Sequence, residues 1–244
     1  MDKVEILGVK ISRVNFKEAL KTVEKFLADG KKHYIVTPNP EQIILAQKNH
    51  HFRQILNQAD LAIPDGVGLV WASRILQNSK LIERVSGVDL MERLCQRAVQ
   101  NGWRIGLLGG KGKVAARAAE VLKKRYGGLK IIFAAAGNPS STFDQKIRKD
   151  LPNLDLLLVA YGAPKQEEWI GRNLAEINVG VLMAVGGAFE FLAGRQRRAP
   201  KIIQSFGFEW FWRLIFQPWR LKRQLALPEF ALRVWATKLK GFKV

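Results

Sequence analysis

The sequence has few of the residues that build covalent cross-links and metal centres. Its 244 residues include one cysteine, Cys95, and three histidines, His33, His50 and His51. A single cysteine excludes an internal disulfide and a multi-cysteine zinc site, and three histidines argue against a histidine-rich metal centre. We expect Cys95 to be a buried thiol in an amphipathic helix. His33 is predicted to begin a strand, and the pair His50 and His51 to cap a helix end.

Long apolar runs and acidic residues are also scarce. The longest uncharged apolar stretch, residues 177–189, is too short and too rich in glycine to span a bilayer. Residues 1–5 carry charges where a signal peptide has its apolar segment, so we expect a cytoplasmic protein. Only 21 Asp and Glu stand against 40 Lys and Arg, a net charge of +19. This excess predicts a polyanionic partner, which is nucleic acid, a phosphate-rich ligand or an anionic membrane.

Several motifs of nucleotide and nucleophile chemistry are absent from the sequence. It contains neither Gly-x-Gly-x-x-Gly nor Gly-x-x-x-x-Gly-Lys-Ser/Thr, which argues against a standard dinucleotide site or a P-loop. It has no Gly-x-Ser-x-Gly nucleophile elbow. It also lacks Asp-x-Asp, which commonly holds Mg²⁺ or Mn²⁺ on a nucleotide diphosphate. We therefore expect no bound metal and no cofactor, and any diphosphate ligand would be neutralised by backbone N–H groups, Arg and Lys.

Short aliphatic runs alternate with amphipathic segments along most of the chain. Strands are predicted at Glu5–Ile11, His33–Val36, Leu61–Ile63, Arg104–Leu108, Lys130–Ala134, Asp155–Val159 and Val179–Val185. Helices are predicted near 16–28, 40–57, 67–77, 87–100, 112–125, 143–150 and 165–176. This alternation predicts an α/β, Rossmann-like fold with a mostly parallel sheet and helices on both faces. Such sheets bind ligands at the carboxyl ends of their strands, so the loops there form the candidate site.

Residues 195–244 differ from the rest of the chain in charge and aromatic content. They hold twelve Lys and Arg against two Glu, a net charge of +10, and four of the seven tryptophans. We therefore predict a Rossmann-like domain over residues 1–194 and a basic, helical C-terminal appendage, the tail, over residues 195–244. Cations interleaved with aromatic rings suit an anionic membrane interface or single-stranded nucleic acid. The third interpretation is a helical pair, broken at Pro218, whose aromatic rings dock on the domain.

Polar side chains and glycines occupy the loops that follow the predicted strands. Asp65 can act as a positioned general base or cap the helix that follows it. Thr37 and Asn39 offer neutral hydrogen bonds, with capping as the alternative, and Gln166 can orient a sugar hydroxyl or begin a helix. The loop Gly109–Gly112 resembles a phosphate cradle, because glycines let backbone N–H groups approach a diphosphate before a helix N-terminus. A tight strand-to-helix turn is the alternative there.

Six motifs occur in order between about residues 5 and 225. They are Thr37-Pro38-Asn39, Pro64-Asp65-Gly66, Gly162-Ala163-Pro164-Lys165-Gln166-Glu167, Gly186-Gly187-Ala188-Phe189, Gly194 with Arg198-Ala199-Pro200, and Glu209-Trp210 with Arg213-Leu214 and Pro218-x-Arg220-Leu221. Each is modest alone, but together they are similar to those of the WecG/TagA/CpsF glycosyltransferases. The resemblance implies that residues 1–194 form a catalytic glycosyltransferase domain and that the tail docks on a membrane.

The resemblance implies a bacterial inverting enzyme that moves an N-acetylmannosamine-type sugar from a UDP donor to polyprenyl-diphosphate-linked N-acetylglucosamine. The reaction would serve teichoic acid, common antigen or capsule synthesis and would need no metal. Its partners would be the UDP-sugar, the lipid acceptor and the anionic inner face of the cell membrane, where the protein would be peripheral, with no nucleic acid. The donor sugar, the pathway and the oligomeric state stay open, since the tail of the same chain or of a second copy in a homo-oligomer can complete a pocket.

The resemblance also assigns individual residues. Asp65 matches the proposed base, and Arg84 matches a pocket arginine that stabilises the leaving diphosphate. The residues that match the sugar pocket are Thr37, Asn39 and Gln166. Those expected to form backbone platforms for the nucleotide are Gly109, Gly110, Gly186 and Gly187. The tail arginines that match a grip on diphosphate are Arg213, Arg220 and Arg223.

This chain departs from the family pattern at two positions. Glu190 stands where many members have Asp, so a nucleotide contact there must accommodate a longer side chain, and Gln217 stands where Glu is frequent. On the residues alone, two other classes of protein remain as alternatives. The net charge and the Arg/Trp-rich tail motivate a nucleic-acid-binding protein. A nicotinamide-dependent oxidoreductase would fit the fold, although the missing Gly-x-Gly-x-x-Gly disfavours it.

Overall fold

The centre of the molecule is a six-stranded, wholly parallel sheet. The computed structural model describes residues 1–76, 80–205 and 207–241. The strand order is β4-β3-β8-β7-β5-β6. The strands are β3 (His33–Val36), β4 (Leu61–Ala62), β5 (Ile105–Gly109), β6 (Ile131–Ala135), β7 (Leu154–Ala160) and β8 (Val179–Ala184). The predicted fold class is therefore confirmed. Because all six strands run the same way, the loops after them meet at one edge of the sheet.

Alternate residues of each strand enter two separate hydrophobic cores, one on each face of the sheet. In β7, Leu157 and Val159 belong to one core and Leu156 and Leu158 to the other, as the two-residue period of a strand requires. All four side chains are fully buried. A sheet covered on both faces needs continuous apolar strands, which explains why these segments read as aliphatic runs in the sequence.

Helices cover both faces. Those that contribute to the first core are α2 (Pro40–Lys48), α3 (His50–Gln58), α4 (Val67–Leu76), α7 (Asp144–Asp150) and α8 (Lys165–Asn173). Those that contribute to the second core are α1 (Phe16–Ala28), α5 (Gly87–Asn101), α6 (Val114–Arg125) and α9 (Ala188–Leu192). The end of the helix predicted at 67–77 lies outside the described residues. The helices on the two faces leave the carboxyl edge of the sheet open to ligand.

The first predicted strand is wrong, because the segment Glu5–Ile11 folds back on itself. It forms two antiparallel strands, β1 (Lys3–Ile6) and β2 (Val9–Ser12), in a separate sheet. The turn between them consists of Leu7 at φ 48° and Gly8 at φ 79°. Two positive φ values in a two-residue loop match the twist of a hairpin. Glycine accepts this conformation, and Leu7 adopts it at a cost that the pairing offsets.

The helix predicted at 40–57 is also interrupted. Asn49 has extended backbone angles, ends α2 and accepts a hydrogen bond from Phe52 N at 3.0 Å, which caps α3. The prediction that His50 and His51 cap a helix end is therefore wrong, since α3 begins there. The other two predictions on rare residues are confirmed. His33 begins β3, and Cys95 is fully buried, which raises the pKa of its thiol to about 12.

The tail packs on the domain as a series of short helices and one long helix. The helices are α10 (Lys201–Ser205), α11 (Glu209–Phe216), α12 (Leu221–Gln224) and α13 (Ala226–Gly241), with a 3-10 turn at Pro218–Arg220. Helix α13 lies against α2 and α4 and buries Phe230 and Val234 in the first core. No helix within the described ranges is long and apolar enough to cross a bilayer. The division of the chain near residue 195 stays a prediction.

Candidate active site

A cleft of about 660 Å³ opens at the carboxyl edge of the sheet. Its walls come from the loops after β3, β4, β5, β6, β7 and β8 and from the tail. The predicted residues that line it are Thr37, Asn39, Asp65, Gly110, Gln166, Gly186, Gly187, Glu190, Arg220 and Arg223. The fold therefore brings most of the predicted residues to one place. The role of each of them stays a prediction.

Asp65 is held in the cleft by its backbone and its carboxylate. Its N–H donates to Pro38 O at 2.9 Å, which sets it beside the loop after β3. Its Oδ2 accepts from Gly87 N at 3.3 Å. A Cβ at Gly87 would lie 2.9 Å from Thr37 Cγ2 and 3.4 Å from Asp65 Oδ2, so only glycine allows this approach. The carboxylate therefore has a fixed position, as a general base requires.

Arg84 joins Asp65 to the tail. Its Nη2 lies 3.7 Å from Asp65 Oδ1 and 2.7 Å from Glu209 Oε2. Burial disfavours its charge, but Asp65 and Glu209 outweigh burial and raise the pKa of Arg84. A permanent cation thus lies beside the carboxylate of the candidate base. A tail residue thus orients a cation beside the candidate base.

Thr37 and Asn39 lie on the cleft wall with hydrogen bonds of their own. Thr37 Oγ1 donates to Ala184 O at 3.4 Å, and the Asn39 side chain accepts from Gln42 N at 3.1 Å. Asn39 therefore caps α2, the alternative noted for it above, and Pro40 follows at the first helical position. The amide nitrogen of Asn39 has no part in the cap, so a capping role and contact with a ligand are compatible.

Gln166 links two loops behind the cleft surface. Its Oε1 accepts from Gly162 N at 3.1 Å and from Gly186 N at 3.0 Å, and its Nε2 donates to Glu167 Oε1 at 2.9 Å. The side chain is 1% exposed. These bonds tie the loop after β7 to the loop after β8. The neighbouring Glu167 is fully buried, and loss of solvent raises its pKa to about 7.

The glycines predicted as nucleotide platforms differ in their surroundings. Gly110 lines the cleft but already donates its N–H to Ala160 O at 3.1 Å. Gly109, at φ +120°, packs against the backbone of Ala160, where a Cβ would approach to 2.6 Å. Gly187 lines the cleft at the start of α9. Glu190 lies one turn further on, with its Oε2 atom 3.9 Å from Arg195 Nε. The side chain of Glu190 thus reaches the cleft wall.

The tail brings two of its three predicted arginines to the cleft. Arg220 donates to Gln217 Oε1 at 3.1 Å, and Arg223 pairs with Glu41 Oε2 at 2.9 Å. Arg213 is on α11, and its side chain lies outside the described part of the chain. In this structure the tail of the same chain therefore forms one wall of the cleft.

A second cleft of about 320 Å³ adjoins the first. Both are lined by Asn39, Glu41, Asp65 and Val88. The second cleft also contains Arg84, and its remaining wall is mainly apolar. The apolar and aromatic residues there are Val67, Trp71, Trp210, Leu227, Phe230 and Ala231. Asp65 and its neighbours thus lie between a cleft of mixed polar and apolar lining and a smaller, mainly apolar one.

Several residues of the site are not among those predicted from the sequence. The loop after β6, residues 137–139, lines the larger cleft, and its Gly-Asn-Pro sequence directly after a strand was the available signal. Glu41 falls within a predicted helix, and its sequence context gives no sign of the ion pair that it forms with Arg223. Within residues 1–76, 80–205 and 207–241, no group of three His, Cys, Asp or Glu is arranged to hold a metal ion.

A doubly wound parallel sheet with a carboxylate and arginines at its carboxyl edge defines a Rossmann-like enzyme. The sequence matches the profile of the "Glycosyl transferase WecG/TagA/CpsF family" over residues 4–243. The chain belongs to this family and is a glycosyltransferase, which decides between the three classes weighed above. It is similar to the N-acetylglucosaminyldiphosphoundecaprenol N-acetyl-beta-D-mannosaminyltransferases of two Staphylococcus aureus strains. The protein of strain MRSA252 is 32% identical and that of strain NCTC 8325 / PS 47 is 31% identical, each over 98% of this chain and 94% of the relative.

Proposed function

We propose that the protein transfers an N-acetylmannosamine-type sugar from a UDP donor to polyprenyl-diphosphate-linked N-acetylglucosamine, in surface polysaccharide synthesis. The observation that carries this proposal is the position of Asp65 between two clefts of different character. The larger cleft, which contains Arg220 and Arg223 among polar loop residues, suits a nucleotide-sugar, and the smaller, mainly apolar cleft suits an acceptor whose carrier is an isoprenoid. The names of the two staphylococcal relatives support the acceptor and the sugar.

The reaction needs a base on one side of the anomeric carbon and a cation on the other. The carboxylate of Asp65 takes the proton of the acceptor hydroxyl as its oxygen bonds to the anomeric carbon. The bond from that carbon to the β-phosphate oxygen breaks, and its electron pair leaves on UDP, so the configuration inverts. Arg220 and Arg223 supply charge for the departing diphosphate. We infer that these cations and backbone N–H groups neutralise the departing diphosphate without a metal.

The first test is UDP release from a panel of UDP-sugars, measured with and without a short-chain lipid-diphosphate-linked N-acetylglucosamine, in EDTA. We expect release to depend on the acceptor and to occur with an N-acetylmannosamine-type donor. Equal rates in EDTA and in added Mg²⁺ would support the metal-free step. Release that needs Mg²⁺ would overturn that part alone, and failure of every donor with this acceptor would overturn the proposed reaction.

We further propose that the tail holds the protein on an anionic membrane, at the inner face of the cell membrane. Apolar side chains stand exposed on its helices, among them Phe211 at 50% and Ile215 at 57%, one turn apart on α11. The twelve basic residues of the tail surround them in sequence. An amphipathic, cationic surface of this kind binds through apolar burial and through attraction to anionic lipid.

The double variant Phe211→Ser/Ile215→Ser is expected to bind vesicles of phosphatidylglycerol and phosphatidylcholine at least about tenfold more weakly, since each apolar side chain contributes about 1.5–3 kcal/mol on burial. Co-sedimentation at low and high salt measures this. Ile132→Ser is the matched control, because Ile132 is 50% exposed on β6, far along the chain from the tail. Equal loss of binding in the control would contradict a role of the tail.

A further inference from the structure

Glu167 is a buried carboxylate for which the proposed reaction has no use. It is fully buried, so it cannot touch a substrate in the cleft. Its Oε1 accepts two hydrogen bonds, from Gln166 Nε2 at 2.9 Å and from Gln42 Nε2 at 3.2 Å. Its Oε2 has no hydrogen-bond partner within the described chain. A carboxylate placed in this way costs stability, so its position calls for a compensating role.

The first effect of Glu167 is on the orientation of one amide. Because its oxygen accepts from Gln166 Nε2, the Oε1 atom of Gln166 faces the N–H groups of Gly162 and Gly186. The opposite orientation would direct the NH₂ group of Gln166 at two backbone N–H donors. Donors that face donors leave buried polar groups unsatisfied, which destabilises the folded protein. Glu167 therefore selects the orientation in which Gln166 joins the two loops.

The second effect of Glu167 reaches a third loop. Gln42 lies in the first turn of α2, and its backbone N–H donates to the Asn39 side chain, which caps that helix. Through its bond to Gln42, the same Glu167 oxygen is therefore connected to the loop after β3. Three loops of the cleft, those after β3, β7 and β8, are tied to one buried atom.

We propose that Glu167 is a positioning residue that holds these three loops in the arrangement that binds the donor sugar nucleotide. This inference rests on the proposed function for the identity of the ligand, but the contacts that carry it exist without ligand. A buried hydrogen-bonded network of this kind stiffens a site only while every bond is made. In this role Glu167 acts only as a hydrogen-bond acceptor, so its negative charge is not required.

The central comparison is Glu167→Leu against Glu167→Gln in the full-length protein. Leucine removes the acceptor, so the KM for the UDP-sugar should rise by about tenfold or more, the effect of losing one or two buried hydrogen bonds. The KM for the lipid acceptor should stay within about twofold. Glutamine keeps an acceptor oxygen at the same place and should restore the donor KM to within about threefold. Glu168→Gln, at the neighbouring half-buried glutamate, is the control and should match the wild type.

A second measurement does not depend on the reaction. Hydrogen exchange of the Gly162 and Gly186 amides in the free protein should speed up in Glu167→Leu and stay slow in Glu167→Gln, since Gln166 protects both amides. If Glu167→Leu does not fold, the pair Gln166→Glu and Gln166→Glu/Glu167→Gln replaces it. Gln166→Glu places two carboxylates next to each other and should speed up exchange at both glycine amides. The double variant restores one donor and one acceptor and should slow exchange again.

Two results would overturn the proposal. One is unchanged exchange at both glycines in folded Glu167→Leu, or in Gln166→Glu. The other is a donor KM as poor in Glu167→Gln as in Glu167→Leu. A wild-type protein that uses no UDP-sugar would overturn the proposed function instead, and faster exchange in Glu167→Leu would then still support the positioning of the loops.

Discussion

Replacing Asp65 with asparagine is expected to lower kcat by about a hundredfold to ten-thousandfold, the contribution of a positioned general base. The amide has nearly the volume of the carboxylate but cannot take the proton of the acceptor hydroxyl. Folding should be retained, because the bond from Asp65 N to Pro38 O involves only the backbone, and the asparagine oxygen can still accept from Gly87 N. UDP release with saturating acceptor, and thermal unfolding of the same samples, measure the two effects.

Asp150→Asn provides the control for the removal of one negative charge. Asp150 ends α7 and is exposed, on a helix that does not reach either cleft. Its kcat should equal that of the wild type. If Asp65→Asn keeps a rate within about threefold of the wild type, proton transfer is not its task. Asp65 would then be a structural carboxylate that anchors Arg84 and Gly87.

The central sheet could be predicted because its strands carry their own signal. Strands buried on both faces have uninterrupted aliphatic runs. The predicted ends of β5, β7 and β8 are each within two residues of the observed ends. The parallel arrangement then placed the loops after them at one edge. This is why Thr37, Asp65 and Gln166, which are far apart in the chain, were expected in one site. The location of these residues could be predicted because it depends only on the topology of the sheet.

The two wrong elements depend on single residues acting against the local pattern. Leu7 takes a positive φ that leucine disfavours, so Gly8 alone marks the turn in an otherwise alternating sequence. Asn49 ends one helix and caps the next inside a run of residues that otherwise suits one long helix. In both cases tertiary packing decides, since β2 and α3 are in contact. Gly8 and Asn49 are local signals for these breaks, but each is a single residue set against a longer periodic pattern.

The site itself depends on contacts between distant residues, which the sequence does not reveal. Glu167 opens a helix after a loop, where an exposed acid at the positive end of the helix is the ordinary interpretation. Its burial follows from the approach of Gln42, 125 positions away. Likewise, the pairing of Arg84 with Glu209 spans 125 positions and needs the tail to fold back over the cleft. Residue types could be predicted from the motifs, but their partners could not.

Removal of the tail after residue 194 is expected to abolish acceptor-dependent transfer, with a loss of at least about a hundredfold. The truncated chain lacks Arg220 and Arg223, and charged hydrogen bonds to a diphosphate contribute about 1.5–3 kcal/mol each, or about tenfold or more per arginine. It also lacks Glu209, so Arg84 loses its partner at 2.7 Å. Because Phe230 and Val234 leave the first core, the truncated chain should also unfold at a lower temperature.

Because truncation lowers stability as well as activity, a second variant is needed in which the tail stays docked on the domain. Arg220→Gln/Arg223→Gln in the full chain leaves Phe230 and Val234 in place, so its melting temperature should stay near that of the wild type. We expect its rate with a water-soluble short-chain acceptor to fall by about a hundredfold, and Lys123→Gln/Lys124→Gln, an equal loss of charge on the exposed side of α6, to leave the rate unchanged. A soluble acceptor removes membrane attachment from the comparison. Equal rates in the two double variants would mean that the tail acts only by docking on the membrane, and that the diphosphate is held by the loops of the sheet alone.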